Sequence, residues 1–183
     1  MRLCIEIGGT FVRFAFADPS VISTAQLHGE GETEQQQPIA ETHRVENKGI
    51  EFIIEQIQAK ITETGVEVTS IGVASFGPLD LNKSSPTFGA VTRGACEAKQ
   101  SWVNNSLALK QAEALGIGIE NVFVDTDVNS ACLAEGVFGG HKGVVPAEDN
   151  LAYITVGTGV GVGVVIQGVS VKGIQHPEGG HMV

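Results

Sequence analysis

Two carboxylates, Asp125 and Asp127, stand where a β-branched and aromatic run, Val122-Phe123-Val124, gives way to a helical stretch from Asn129 to Phe138. Open α/β folds place reacting groups at the carboxyl ends of strands, beside helix N-termini. At such a junction Asp127 can act as a general base, taking the proton of a substrate hydroxyl held close to it. The plain alternative is a turn and an N-cap, because aspartate is favoured in both places. Two glycine turns offer a second kind of chemistry. Gly8-Gly9-Thr10 joins the apolar run Met1–Ile7 to Phe11–Ala17, and Gly157-Thr158-Gly159 follows the run Leu151–Val156. Glycine lets a phosphate approach backbone N–H groups closely, and a threonine hydroxyl adds a donor. A third cluster is His176-Pro177-Glu178-Gly179-Gly180-His181. Its carboxylate and imidazoles suit metal ligation, acceptance of sugar hydroxyls, or a surface turn.

The elements that must position these groups follow from periodicity. Two apolar runs joined by Gly-Gly make a hairpin. Ile50, Ile53, Ile54, Ile57 and Ile61 recur at the spacing of an amphipathic helix over 50–64, with Gly65 as its C-cap. Ser70–Ser75 reads as a buried strand that runs into Phe76-Gly77-Pro78-Leu79-Asp80, where Gly-Pro fixes a sharp turn. A helix over Asn104–Leu115, ended by Gly116, precedes the strand that feeds Asp125. Between these elements, 18–41 reads as an irregular polar segment and 81–101 as a long loop with little periodicity. After Gly157-Thr158-Gly159 and further glycines, Val164-Val165-Ile166 forms a returning strand, and Ser170–Lys172 begins another. A strand, a Gly/Thr turn and a returning strand thus occur twice, the mark of a duplicated architecture. Strand rather than helix follows the glycines, which excludes a Rossmann fingerprint, and no Gly-Lys-Ser/Thr ends either turn as in a Walker A loop.

Composition narrows the function classes. The formal net charge of −10 comes without any basic cluster, which disfavours nucleic acid and anionic membrane surfaces as partners. It leaves phosphate ligands open, since backbone N–H groups and Mg²⁺ hold phosphates without Lys or Arg. No apolar run approaches a membrane span. Cys4, Cys96 and Cys132 are scattered and odd in number, and Cys4 and Cys132 are expected as small buried hydrophobes. With no signal peptide in view, a reducing cytoplasm is the expected compartment.

Six segments in order resemble the ROK family of sugar kinases, and within it the fructokinases. They are Glu6-Ile7-Gly8-Gly9-Thr10, Ala74-Ser75-Phe76-Gly77-Pro78-Leu79-Asp80, Ser85-Pro86-Thr87-Phe88-Gly89, Thr126-Asp127-Val128-Asn129, Thr155-Val156-Gly157-Thr158-Gly159, and the His176–His181 cluster. The resemblance implies the actin-like ATPase, ribonuclease-H-like α/β fold, with a first lobe over 1–125 and the start of a second over 126–183. It implies transfer of the ATP γ-phosphoryl group to a hexose hydroxyl with Mg²⁺, fructose giving fructose 6-phosphate. Asp127 then resembles the catalytic base. Gly8, Gly9 and Thr10, and Gly157, Thr158 and Gly159, resemble the phosphate-holding turns. Gly77, Pro78, Thr126, Asp127 and Glu178 resemble the sugar contacts, and His181 resembles the first ligand of the family's structural Zn²⁺. Relatives are often dimers, so a homodimer is among the implied arrangements. Phosphoryl transfer asks mainly for positioning and charge neutralisation, which this inventory supplies.

The chain departs from the family pattern in three places. Phe11 stands where the family usually has Lys after Gly-Gly-Thr, and Gly94–Lys99 does not match the usual approach to Trp102. The sequence ends at Val183, soon after His181, whereas relatives continue with further zinc ligands and most of the nucleotide lobe. The expectation is therefore a shortened or split kinase with little or no activity alone, with apolar strand surface left uncovered. The alternatives are a catalytically silent sugar-binding or regulatory module, or a kinase for another hexose such as glucose.

Overall fold

The computed structural model describes residues 1–20, 40–92, 97–138, 150–157, 159–172 and 179–181, with backbone alone for 97–99 and 181. Most of the polar 18–41 segment, Cys96, Thr158 and Glu178 lie outside the described residues.

Strands β1 (Arg2–Ile7) and β2 (Phe11–Ala17) pair as the expected antiparallel hairpin. Strand β3 (Thr42–Glu46) adds antiparallel to β2, while β4 (Ser70–Ser75) and β5 (Val122–Thr126) extend the other side in parallel. The sheet order is β3-β2-β1-β4-β5. Alternation along the strands sends Leu3, Ile5, Ile7, Val12, Ile71, Val73 and Val122 to one buried face. Helix α1 (Ile50–Thr64) lays Ile50, Ile53 and Ile57 into that core and stops at Gly65 in the left-handed conformation, φ 66°. Helix α2 (Leu107–Leu115) is shorter than its sequence pattern suggests. Asn104 is left-handed at φ 55°, and the helix starts where Ser106 Oγ accepts the Leu109 N–H at 3.1 Å.

The opposite face of this sheet carries Cys4, Glu6, Arg13, Ala74 and Phe123, and Phe123 is 58% exposed. Cys4 is accordingly exposed rather than buried, because it alternates with the core residues Leu3 and Ile5. Cys132 is buried as expected.

Helix α3 (Asp127–Phe138) leaves β5 directly and packs on a second sheet, ordered β6 (Asn150–Val156), β7 (Val160–Ile166) and β8 (Val169–Ser170). Strand β7 begins at Val160, not Val164, so the glycines of its first half belong to a strand. Their absence of side chains is what lets α3 approach. A Cβ on Gly161 would lie 2.7 Å from Val128 Cγ1, and one on Gly163 would run into the Val128 carbonyl. On the far face of this sheet Ile154, Val156, Val160, Ile166 and Val169 are exposed, Val156 to 80%. Among the described residues no helix is long and apolar enough to cross a membrane.

Candidate active site

Parallel pairing decides which loops meet. Ile7 aligns with Ser75, and Ser75 with Thr126. The segments that leave the sheet there are therefore Gly8-Gly9-Thr10, Phe76-Gly77-Pro78 and the helix beginning at Asp127. At about 4.8 Å between neighbouring strands, this row is about 10 Å from end to end, a span suited to one small substrate.

The first glycine turn is closed by the Gly8 N–H donating to the Phe11 carbonyl at 3.0 Å. A Cβ on Gly8 would sit 2.8 Å from that oxygen, so the turn excludes any side chain at its first position. Gly9 and Thr10 are exposed at the tip. Asn47, just past β3, braces the turn from below. Its Nδ2 donates to the Gly8 carbonyl at 2.8 Å, and its backbone N–H donates to the Thr10 carbonyl at 2.9 Å. Sequence reasoning missed Asn47, since an asparagine after a strand is an ordinary turn residue. Phe11, in the position that the family pattern gives to Lys, carries the Arg44 guanidinium over its ring at 3.6 Å.

In the middle segment the Gly77-Pro78 peptide is cis, and the Phe76 N–H donates to the Ile7 carbonyl at 3.4 Å. Phe76 is buried edge-to-face against Trp102, with ring centres 5.6 Å apart. The long stretch after it is better organised than its composition suggests. Phe88 and Val91 are buried, and Val91 bridges to both Leu79 and Val103. Asp80 is the organiser: its Oδ2 accepts the Thr87 hydroxyl at 2.7 Å and its Oδ1 the Asn82 N–H at 3.0 Å. Burial opposes ionisation of this carboxyl, but hydrogen bonds from Ser85, Thr87 and the Asn82 amide outweigh it and hold the pKa below its ordinary value.

At the third segment the capping role falls to Thr126. Its buried hydroxyl oxygen accepts the Asn129 N–H at 3.2 Å, so α3 starts at Asp127 rather than Asn129. Asp127 occupies the first helical position, half-buried, with Oδ1 accepting the Val128 N–H at 2.9 Å. Asp125 is no cap. Its Oδ1 accepts both the Thr126 N–H at 2.8 Å and Asn129 Nδ2 at 3.1 Å, and its Oδ2 lies 3.1 Å from Lys172 Nζ. Buried Asn129 continues across to the second sheet, accepting the Val164 N–H at 3.2 Å and donating to the Val171 carbonyl at 3.4 Å.

The second glycine turn closes on a Gly157 N–H to Gly159 carbonyl bond of 2.9 Å. Both glycines are exposed with open space around them. Gly179 and Gly180 pack against Val160 and Val162 of β7. Thr158, Glu178 and the His181 side chain lie outside the described residues. Among the described residues no three His, Cys, Asp or Glu side chains gather where they could hold a metal ion. A cavity of about 900 Å³ opens on the outer face of the first sheet, walled by Phe123, Asp125, Leu133, Val169 and Lys172. None of Gly8, Gly77 and Asp127 lines it, so it lies apart from the row of strand ends.

The sheet order, the crossing helices and the row of loops define an α/β domain of the actin-like, ribonuclease-H-like class. The solved ROK family glucokinase from Streptomyces griseus, in complex with glucose and AMPPNP, shares this fold. The superposition covers 99% of this chain and 50% of that one, with a TM-score of 0.66 at 24% identity. Residues 2–183 match the ROK family, and the chain belongs to it. A fructokinase from Zymomonas mobilis is 35% identical over 178 residues, 97% of this chain and 52% of its own length. A fructokinase from Lactococcus lactis subsp. cremoris is 41% identical over 114 residues, 62% of this chain and 35% of its own length. The chain thus spans about half the length of the Zymomonas relative, or less in the Lactococcus alignment.

Proposed function

We propose that the protein serves as an ATP-dependent hexose kinase, or as part of one, with fructose as acceptor and Mg²⁺ as the partner of ATP. What carries the reading is the alignment of three strand ends, which brings an open glycine turn, the Gly77-Pro78 turn and Asp127 to one edge of the sheet. In this reading Asp127 takes the proton from the sugar hydroxyl. The hydroxyl oxygen forms a bond to the γ-phosphorus, the bond from that phosphorus to the β–γ bridging oxygen breaks, and ADP leaves. Gly8, Gly9 and Thr10 on one hairpin, with Gly157, Thr158 and Gly159 on the other, hold phosphate oxygens through backbone N–H groups and the threonine hydroxyls. Gly77, Pro78, Thr126 and Glu178 line the sugar. The fructokinase names of the Zymomonas and Lactococcus relatives support fructose as the acceptor in this reading.

One observation favours a second reading, a sugar-binding module without turnover. Among the described residues, the outer face of the second sheet leaves Ile154, Val156 and Val169 more than half exposed. An apolar face of that kind suits a further segment or partner that completes the nucleotide site. A coupled ADP-release assay with ATP, Mg²⁺ and a hexose panel separates the readings. Fructose-dependent turnover that drops by about 10²–10⁴-fold in Asp127→Asn identifies the base. Fructose binding by calorimetry without any ADP release establishes the silent module instead.

A further inference from the structure

Strands β7 and β8 part company just after Ser170, and the way the gap is filled links the two sheets. The Val171 N–H still donates to the Val164 carbonyl at 2.8 Å, but the return bond of the ladder is not made directly. The Asn129 side-chain amide is inserted there instead. Its Oδ1 accepts the Val164 N–H at 3.2 Å, and its Nδ2 donates to the Val171 carbonyl at 3.4 Å. The same Nδ2 donates to Asp125 Oδ1, at 3.1 Å, at the end of β5. The parting of β8 also delivers Lys172 to Asp125 Oδ2, at 3.1 Å.

Asn129 is two residues from Asp127 in the same helical turn, and is buried to 1% exposure. Its amide therefore joins the first sheet, the helix that begins at Asp127, and the sheet carrying the second glycine turn. A planar amide with all three of these contacts has one orientation, because rotation breaks them together. The Asp125 carboxyl is only 13% exposed, and Lys172 meets its Oδ2 while the Thr126 N–H and Asn129 Nδ2 occupy its Oδ1.

We propose that Asn129 and Lys172 are positioning residues. Through Asp125 they form a clasp that fixes Asp127, and the sheet behind the second glycine turn, relative to the row of strand ends. The clasp rests on the proposed phosphoryl-transfer reading for its consequence, but not for its existence. Neither residue touches the reacting atoms. A misplacement of about 1 Å at a reacting group costs about a hundredfold in rate, so loosening the clasp should act on kcat.

The test compares Lys172→Met, Lys172→Arg and Asn129→Ala with wild type, using Lys60→Met, which breaks a remote ion pair with Glu63, as control. Lys172→Met removes a half-exposed charge and keeps most of the side-chain volume, so it covers the case in which Asn129→Ala fails to fold. In ADP release with fructose, Lys172→Met is expected to lower kcat by about tenfold, with KM for fructose within about twofold of wild type. Lys172→Arg is expected to restore most of that loss. In ¹³C-labelled protein, the Asp127 carboxyl resonance should move in Lys172→Met and Asn129→Ala but not in Lys60→Met, and the Val164 amide should exchange faster. Unchanged kcat in Lys172→Met overturns the proposal. If wild type shows no fructose-dependent turnover, the kinase reading fails for this chain and the resonance decides the clasp. A stationary Asp127 signal in Lys172→Met then refutes it.

Discussion

Alanine at position 163 would place a methyl group inside the backbone of the helix that begins at Asp127. The ideal Cβ would collide with the carbonyl of Val128 and lie 2.8 Å from Asn129 N. All three neighbouring atoms are backbone, so no rotamer change relieves the contact; β7 or the first turn of α3 must move. Gly163 has no left-handed requirement, so the penalty is steric rather than conformational. Overpacking of this kind costs about 1–3 kcal/mol. Displacing β7 also stretches the Val164 N–H to Asn129 Oδ1 bond, a further cost of about 1 kcal/mol. The sum, about 2–4 kcal/mol, corresponds to a fall in Tm of several degrees for a chain of this size. Urea unfolding of Gly163→Ala measures it directly, with Gly159→Ala as control. Gly159 has open space around its Cβ position, so the control should stay within about 0.5 kcal/mol of wild type. A Gly163→Ala midpoint indistinguishable from wild type would show that β7 does not approach α3 this closely.

Three other outcomes follow from the same geometry. Asn47→Ala removes the side-chain donor to the Gly8 carbonyl and should cost about 1 kcal/mol, with KM for ATP raised more than KM for fructose in the ADP-release assay. Asp80 has a folded pKa below its unfolded value, so its contribution to stability is complete above about pH 4 and is lost as pH falls through the folded value. Urea midpoints at pH 6 and pH 3 should therefore converge between wild type and Asp80→Asn at the lower pH. In a Cys96→Ser background, a thiol reagent should label exposed Cys4 in the folded protein and reach buried Cys132 only on unfolding; desolvation pushes both thiol pKa values up, so access rather than ionisation separates them.

What is legible in the sequence is legible because it is local. The alternation of Leu3, Ile5 and Ile7 and the spacing of Ile50, Ile53 and Ile57 depend only on near neighbours in the chain, and both appear as strand and helix. The turn at Gly8-Gly9-Thr10 and the strand-to-helix junction at Asp127 are likewise written in a few adjacent residues. So is the family, whose motifs are short and lie in order along the chain.

Local reasoning fails where a residue's role is set by a partner far along the chain. Cys4 sits in an apolar run, yet strand alternation turns it to the open face. The glycines of 160–163 have the composition of a loop, yet α3 presses on Gly161 and Gly163 within a strand. Asp125 and Asp127 are chemically identical and two apart, and their sequence cannot tell an ion-paired strut from a candidate base. The distinction comes from Lys172, and from Asn129 bonding to residues 35 and 42 positions later. Sequence thus determined which elements form and where the glycine turns fall. Tertiary structure alone decided that Asp125 is bound to Lys172 and Asn129, because a partner across the fold leaves no period or spacing in the chain.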